Sequence, residues 1–269
     1  MRAFVTHLSF EIRTGVRNRQ LLLMNYLFPL GFYLLMGFIM PAIKPPFRES
    51  MVPAMVVFAV LAATFLGLPD PLVGARESGI LRSYRINGVP NLSILTIPAL
   101  TTLLHLTIAA AIICATAPLM FEAPLPVDWV TFVVVFLALV LPCAGLAVLI
   151  GVVSRTTRMT VLWSQLIFIP SMLLGGMMLP HDLLPEAPAR VAALLPATHA
   201  MAAFSSRAMT GGATGDLWGS VVVLTLGGLL GFTLAALLFS WDDRNSTRRA
   251  HPPLALLATL PYVVAIVAL

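Results

Sequence analysis

The sequence predicts an all-α fold: a polytopic membrane bundle with six core spans, an N-terminal interfacial amphipathic helix, external re-entrant helices and a seventh C-terminal span. Three observations carry that prediction. Of 269 residues, 59% are apolar and only 10% charged, whereas soluble domains hold roughly 25% charged residues. Mean hydropathy is +0.97, and apolar runs matching ~20-residue helical spans recur along the chain. The cations gather at the ends of those runs. A β-barrel would instead show ~10-residue segments of alternating polarity. The length allows one or two soluble domains, but no polar stretch is long enough to form one.

In residues 1–20, Met1, Val5, Leu8, Ile12 and Val16 share one helical face. Arg2, Thr6, Ser9, Arg13 and Arg17 share the other, with Phe10 the exception. This is the pattern of a helix lying among lipid headgroups. Arg13, Arg17 and Arg19 interrupt the stretch, so it does not read as a cleavable signal peptide, and the first span is expected to act as an uncleaved anchor.

Residues 21–241 form the expected transmembrane domain. Leu21–Met40 is the first span, kinked at Pro29, and Pro41, Pro45 and Pro46 break the chain after it. The second span runs from about Val52 to Leu68 and ends or bends at Pro69-Asp70-Pro71. A charged island follows at Ala75–Pro90, with Glu77, Arg82 and Arg85 set among Ile80, Leu81, Tyr84 and Ile86. It reads as a short amphipathic helix at the membrane surface. The third span is about Leu92–Met120, and the loop Phe121–Asp128 holds Glu122 and Asp128 and no cation. Trp129–Val153 is the fourth span, Ser154–Arg158 a tight turn, and Met159–Leu179 the fifth span. Residues 181–216 are apolar but broken by Pro185, Pro188, Pro196 and glycines. They read as short helices dipping back towards the membrane, tolerated only where they rest on protein. Leu217–Trp241 is the sixth span. Residues 242–269 form a cytoplasmic linker and a further apolar run, Pro253–Leu269, just long enough for a seventh span. No internal repeat is found.

With the N-terminus in the cytoplasm, twelve of the sixteen cations fall inside, and Lys44, Arg48, Arg190 and Arg207 remain outside. That bias fixes the expected orientation. The same clustering at run ends argues for a membrane and against nucleic acid as partner. Cys114 and Cys143 lie in apolar runs, so a structural disulfide is not expected.

A phosphate-binding loop needs a lysine that reaches the β- and γ-phosphates. The one lysine, Lys44, precedes Pro45 in an expected external loop, so ATP hydrolysis by that device is excluded for this chain. His105 lies within the third span, and Asp70 near the end of the second. Intramembrane ionisable groups are functional candidates, but a hydrogen-bonded histidine and a helix-anchoring aspartate are the plainer readings. His181, Asp182, Glu186 and His199 share one stretch without the spacing of a known metal site. Met172, Met177 and Met178 read as packing, and no metal is assigned. Ser164, Ser171, Ser205 and Ser206 lack a nucleophile motif. Gly211-x-x-x-Gly215 and Gly227-x-x-x-Gly231 read as close helix packing.

The island resembles the cytoplasmic loop between spans two and three of type-2 ABC transporter permeases, which reads Arg-Glu-x-Gly-Thr-Leu followed by a basic run and a proline. Here it stands as Arg76-Glu77-Ser78-Gly79-Ile80-Leu81, then Arg82, Arg85 and Pro90. In that family the loop is the coupling helix, which docks in a cleft of a separate ATP-binding subunit. The resemblance implies that Arg76 through Arg82, with Arg85, form the ATPase interface. The amphipathic N-terminus is similar to the family's connecting helix. The stretch with Pro180, Pro196, Thr198 and His199 is similar to its external re-entrant segment, where Leu195-Pro196-Ala197-Thr198-His199 stands for Asn-Pro-Leu-Thr-Tyr. The resemblance covers about residues 1–241.

The function so implied is the permease subunit of an ATP-driven exporter of a hydrophobic or amphipathic cargo, such as a drug, lipid or glycolipid. Its expected partners are two ATP-binding subunits, a second permease and membrane lipids. ATP and Mg belong to the partner, and this chain holds no cofactor and catalyses nothing. The expected pathway runs between permeases, lined by spans one, two and five. A secondary transporter would depend on His105. A lipid-modifying enzyme would use His181, Asp182 and Glu186.

Overall fold

The computed structural model describes residues 18–179, 183–211, 217–241 and 252–268. The expected amphipathic helix lies, through Arg17, outside the described residues. So do Pro180, His181, Asp182, Gly215 and the cluster Arg244, Arg248 and Arg249. Among the described residues every regular element is helical. Among the described residues, five helices are long and apolar enough to cross a membrane.

The first of them opens at Arg19–Leu22, loosens into a π turn at Leu23–Leu27 and continues as α1, Phe28–Ile43. Pro29 explains the turn. It has no N–H to bond the carbonyl of Asn25, and the register slips so that Phe28 N–H bonds Leu23 O instead. The expected kink at Pro29 is thus a π turn rather than a break. Helix α2, Phe47–Leu61, is buried on all sides beyond its first turn, every residue from Met51 to Phe65 being buried. A helix apolar all round belongs at a bundle centre. It passes through a second π turn, Ala62–Leu66, and bends into α3, Pro69–Glu77. Then come α4, Ile80–Ile86, α5, Asn91–Phe121, and α6, Trp129–Val153.

Helix α7, Thr157–Leu174, is the expected fifth span, and it ends five residues early. It also falls outside the five clear membrane-crossing helices, because Arg158 and Gln165 dilute its apolar run. Short helices α8, Glu186–Ala192, and α9, Pro196–Ala203, occupy the broken stretch. The last long helix is α10, Leu217–Leu238. The expected seventh span, Pro253–Leu269, takes the form of a 3₁₀ segment, Pro252–Thr259, followed by α11, Leu260–Ala268, and among the described residues its apolar part is shorter than the five long helices.

Helices α6 and α10 make the most extensive contact in the bundle. In lipid, packing rather than hydrophobic drive holds helices together, and small residues let backbones approach. Here a Cβ on Gly145 would lie 2.9 Å from Gly228 O, and one on Gly231 would lie 3.1 Å from Gly145 C. Gly227 faces the Tyr262 ring instead, so the Gly227/Gly231 pair serves two neighbours. Gly211 departs from expectation. It follows the π turn Phe204–Ala208 at φ 67, outside any helix.

Candidate functional site

The island is built on α3, and α3 is fastened at both sides. Arg76 is only 8% exposed. Its Nη1 donates to Val152 O at 2.9 Å, and its Nη2 donates to Gly151 O at 3.3 Å and to Ser154 O. These are carbonyls at the C-terminal end of α6, which a helix leaves without intrahelical partners and where its dipole favours a cation. Gly151 lets α3 come close, since a Cβ there would lie 3.0 Å from Leu72 Cδ2 and 3.2 Å from Pro69 O. On the other side the Thr160 hydroxyl of α7 donates to Asp70 in the first turn of α3. Asp70 is therefore the helix anchor that the sequence suggested.

The chain then turns sharply. Ser78 Oγ donates to Gly74 O at 2.7 Å, and Gly79 takes φ 78, a left-handed conformation that glycine reaches without the steric penalty of a Cβ. From there α4 runs for seven residues and stops at Asn87, whose Nδ2 donates to Ser83 O at 2.8 Å. Gly88 at φ 72 and Pro90, in extended conformation before α5, complete the return. Leu81 is 1% exposed and seats α4 on the bundle. Glu77, Ser78, Gly79, Ile80, Arg82, Arg85 and Ile86 are exposed.

This placement corrects the expected interface at two residues. Arg76 and Leu81 point into the protein and cannot offer a docking surface. The others are exposed, and exposed Arg155, between α6 and α7, and Arg158, in the first turn of α7, lie at the same end of the bundle.

At the opposite end the charges pair across loops. Arg48 meets Glu122 at 2.7 Å, and Arg207 meets Asp128 at 3.2 Å. The short helices rest on protein there, as expected. Pro196 opens α9, the Thr198 hydroxyl donates to Ala192 O at 2.6 Å, and His199 Nε2 is 2.9 Å from Ala193 O. Glu186 pairs with Arg190 at 2.6 Å. Among the described residues no three His, Cys, Asp or Glu side chains gather as a metal site.

Within the bundle, His105 Nδ1 lies 2.7 Å from the Tyr26 hydroxyl, which is the bond to a neighbouring helix that the sequence suggested. The sequence reading missed Asn25, which is 2% exposed beside this pair. Its signal was a lone amide within an apolar run.

The family model of the ABC-2 type transporter matches residues 2–207, from before the first span through the π turn after α9. The chain belongs to the ABC-2 type transporter family. No curated protein and no solved structure gives a significant match. As an ABC-2 membrane domain, the chain is the multi-pass membrane permease of an ABC transporter, a transport component that partners with ABC ATP-binding subunits. In this ABC-2 permease, α10 and α11 lie beyond the matched residues.

Proposed function

We propose that this ABC-2 permease is the membrane subunit of an ATP-driven exporter and that α4 is its coupling helix. The observation that supports this reading most is the geometry of α3 and α4: an exposed face on a short helix, carried by a stem fixed to α6 through Arg76 and to α7 through Asp70. A push on such a face moves two long helices together instead of deforming a loop, as rigid-body switching requires. The contact residues are Glu77, Ser78, Gly79, Ile80, Arg82 and Arg85, and Arg76 and Leu81 hold the helix in place. Two ATP-binding subunits supply ATP and Mg, a second permease completes the pathway, and the N-terminus and α4 lie in the cytoplasm. Spans one and five carry exposed apolar faces, as do α5, α6 and α10. Helix α2 is sealed inside the protomer from Met51 onward and so drops out of the expected pathway lining of spans one, two and five. Nearly all the exposed span residues are apolar, which suits a hydrophobic or amphipathic cargo.

The test is co-purification with ABC ATPase subunits, comparing wild type with Glu77→Ala/Arg82→Ala. The double variant is expected to lose ATPase binding or to uncouple hydrolysis from transport while keeping its own fold. Equal binding and equal coupling in the two forms would remove α4 from the interface.

A further inference from the structure

A cavity lies on the inner side of the first span, lined there by Leu21 and by Asn25 of the π turn. It has a volume of about 120 Å³ and lies between that turn, α5 and the underside of α4, with Leu81 and Tyr84 on one wall and Thr101 and Thr102 on another. Most of its lining is apolar. Besides the hydroxyls of Tyr84, Thr101 and Thr102, its polar lining includes Asn25 and His105, both more than nine-tenths buried, at 2% and 5% exposure. Asn25 Oδ1 and His105 Nε2 have no hydrogen-bond partner. Buried polar groups are ordinarily satisfied, and an orphan pair lining one cavity calls for an occupant.

The chemistry of the two atoms selects that occupant. In the tautomer in which the Tyr26 hydroxyl donates to His105 Nδ1, Nε2 carries the ring proton and is a donor. Asn25 Oδ1 is an acceptor. One hydroxyl answers both, donating to the amide oxygen and accepting from the imidazole. The apolar walls ask for a hydrocarbon body, and an apolar cavity of ~150 Å³ is known to hold a benzene ring. We propose that this cavity is a binding site for a single-ring phenol, or for the phenolic end of a larger amphipathic molecule. Asn25 lies in the π turn, and such bulges recur at functional sites. The inference goes beyond the coupling reading and rests on the cavity's own atoms, so it is tested on this chain alone, without any ATPase.

The probe is a 4-alkylphenol bearing a photoactivatable diazirine, applied to the full chain in lipid nanodiscs, with labelled peptides mapped by mass spectrometry. Labelling is expected on peptides carrying Tyr84 or Thr102. Unlabelled 4-ethylphenol should compete at least tenfold better than 4-ethylanisole, whose ether accepts but cannot donate. Asn25→Leu and His105→Leu should each lower labelling at least tenfold, with circular dichroism reporting that the helices persist. Equal competition by the ether, or unchanged labelling in both variants, would overturn hydroxyl recognition. Absence of competed labelling in the cavity would overturn the site and leave it filled by water only.

Discussion

Arg76 was singled out in the sequence by its motif, yet its guanidinium faces three carbonyls at the end of α6. Periodicity could not reveal this, because the carbonyls it meets lie some seventy-five positions away in the chain. Arg76→Met keeps the stem's bulk and leaves those acceptors unmet, an expected loss of about 3 kcal/mol. Arg76→Lys offers one compact donor group and should fall between the two. Thermal unfolding in detergent measures both, and an unchanged melting temperature in the Met variant would deny the clamp. At the other end Asp128 caps α6, accepting from Thr131 N at 3.0 Å and Thr131 Oγ1 at 2.7 Å. These two bonds, backbone first, and then the Arg207 charge hold its carboxyl below the usual carboxylate range. A depressed native value stabilises fully above the unfolded value of ~3.9 and is lost as pH falls through the depressed one. The melting temperature of wild type should therefore drop on acidification below about pH 4 more steeply than that of Asp128→Asn, which should already be lower at neutral pH.

The glycines of the α6–α10 crossing act through the pair of helices. A Cβ at Gly228 would lie 2.5 Å from Leu141 Cγ and 2.7 Å from Pro142 N, and the backbone nitrogen cannot swing aside. Gly31, on the exposed face of α1, has nothing within 4 Å of the same position. Gly228→Leu should prise the helices apart and lower the melting temperature or the folded yield sharply, while Gly31→Leu should change neither. Comparable behaviour of the two variants would show that the crossing is not tightly packed. Such pairs also mark what could be read in advance. The fourth span was legible to the residue, since Asp128 begins it and Ser154 ends it. The fifth was read too long because Met177, Met178 and Leu179 extend its apolar run after the helix has stopped. The backbone turns at Gly175 and Gly176, where a Cβ on Gly175 would strike Ser171 O and Gly176 has φ 86. Apolarity records what a segment touches, and only the backbone records where a helix ends. Within the island, amphipathicity identified the exposed face of α4, but not which two residues turn inward.

Across the whole molecule, α1 and α7 flank the sealed α2. Phe32 stacks on Phe58 with ring centroids 3.9 Å apart, and Phe168 of α7 approaches the same ring at 5.9 Å. Their outer faces carry Leu35, Phe38, Leu162 and Leu166, each more than half exposed. Helix α10 also exposes leucines, Leu229 among them. Apolarity alone does not separate these faces, because lipid tails are as apolar as leucine. Leverage does separate them. The stem α3 is tied to α7 through Asp70 and Thr160 and to α6 through Arg76, so movement of α4 reaches α7 in one step and α10 only through α6. A pathway between two permeases would open most readily where α7, and α1 on the other flank of α2, meet the second chain. Cysteine cross-linking in membranes tests this, starting from Cys114→Ala/Cys143→Ala, since both native thiols are buried. Leu35→Cys or Leu166→Cys should give a covalent permease dimer whose yield changes when ATP is supplied to the ATPase-bound complex. Leu229→Cys should remain monomeric. Cross-links at Leu229, with none at Leu35 or Leu166, would move the interface to α10 and separate it from the helix that α4 drives.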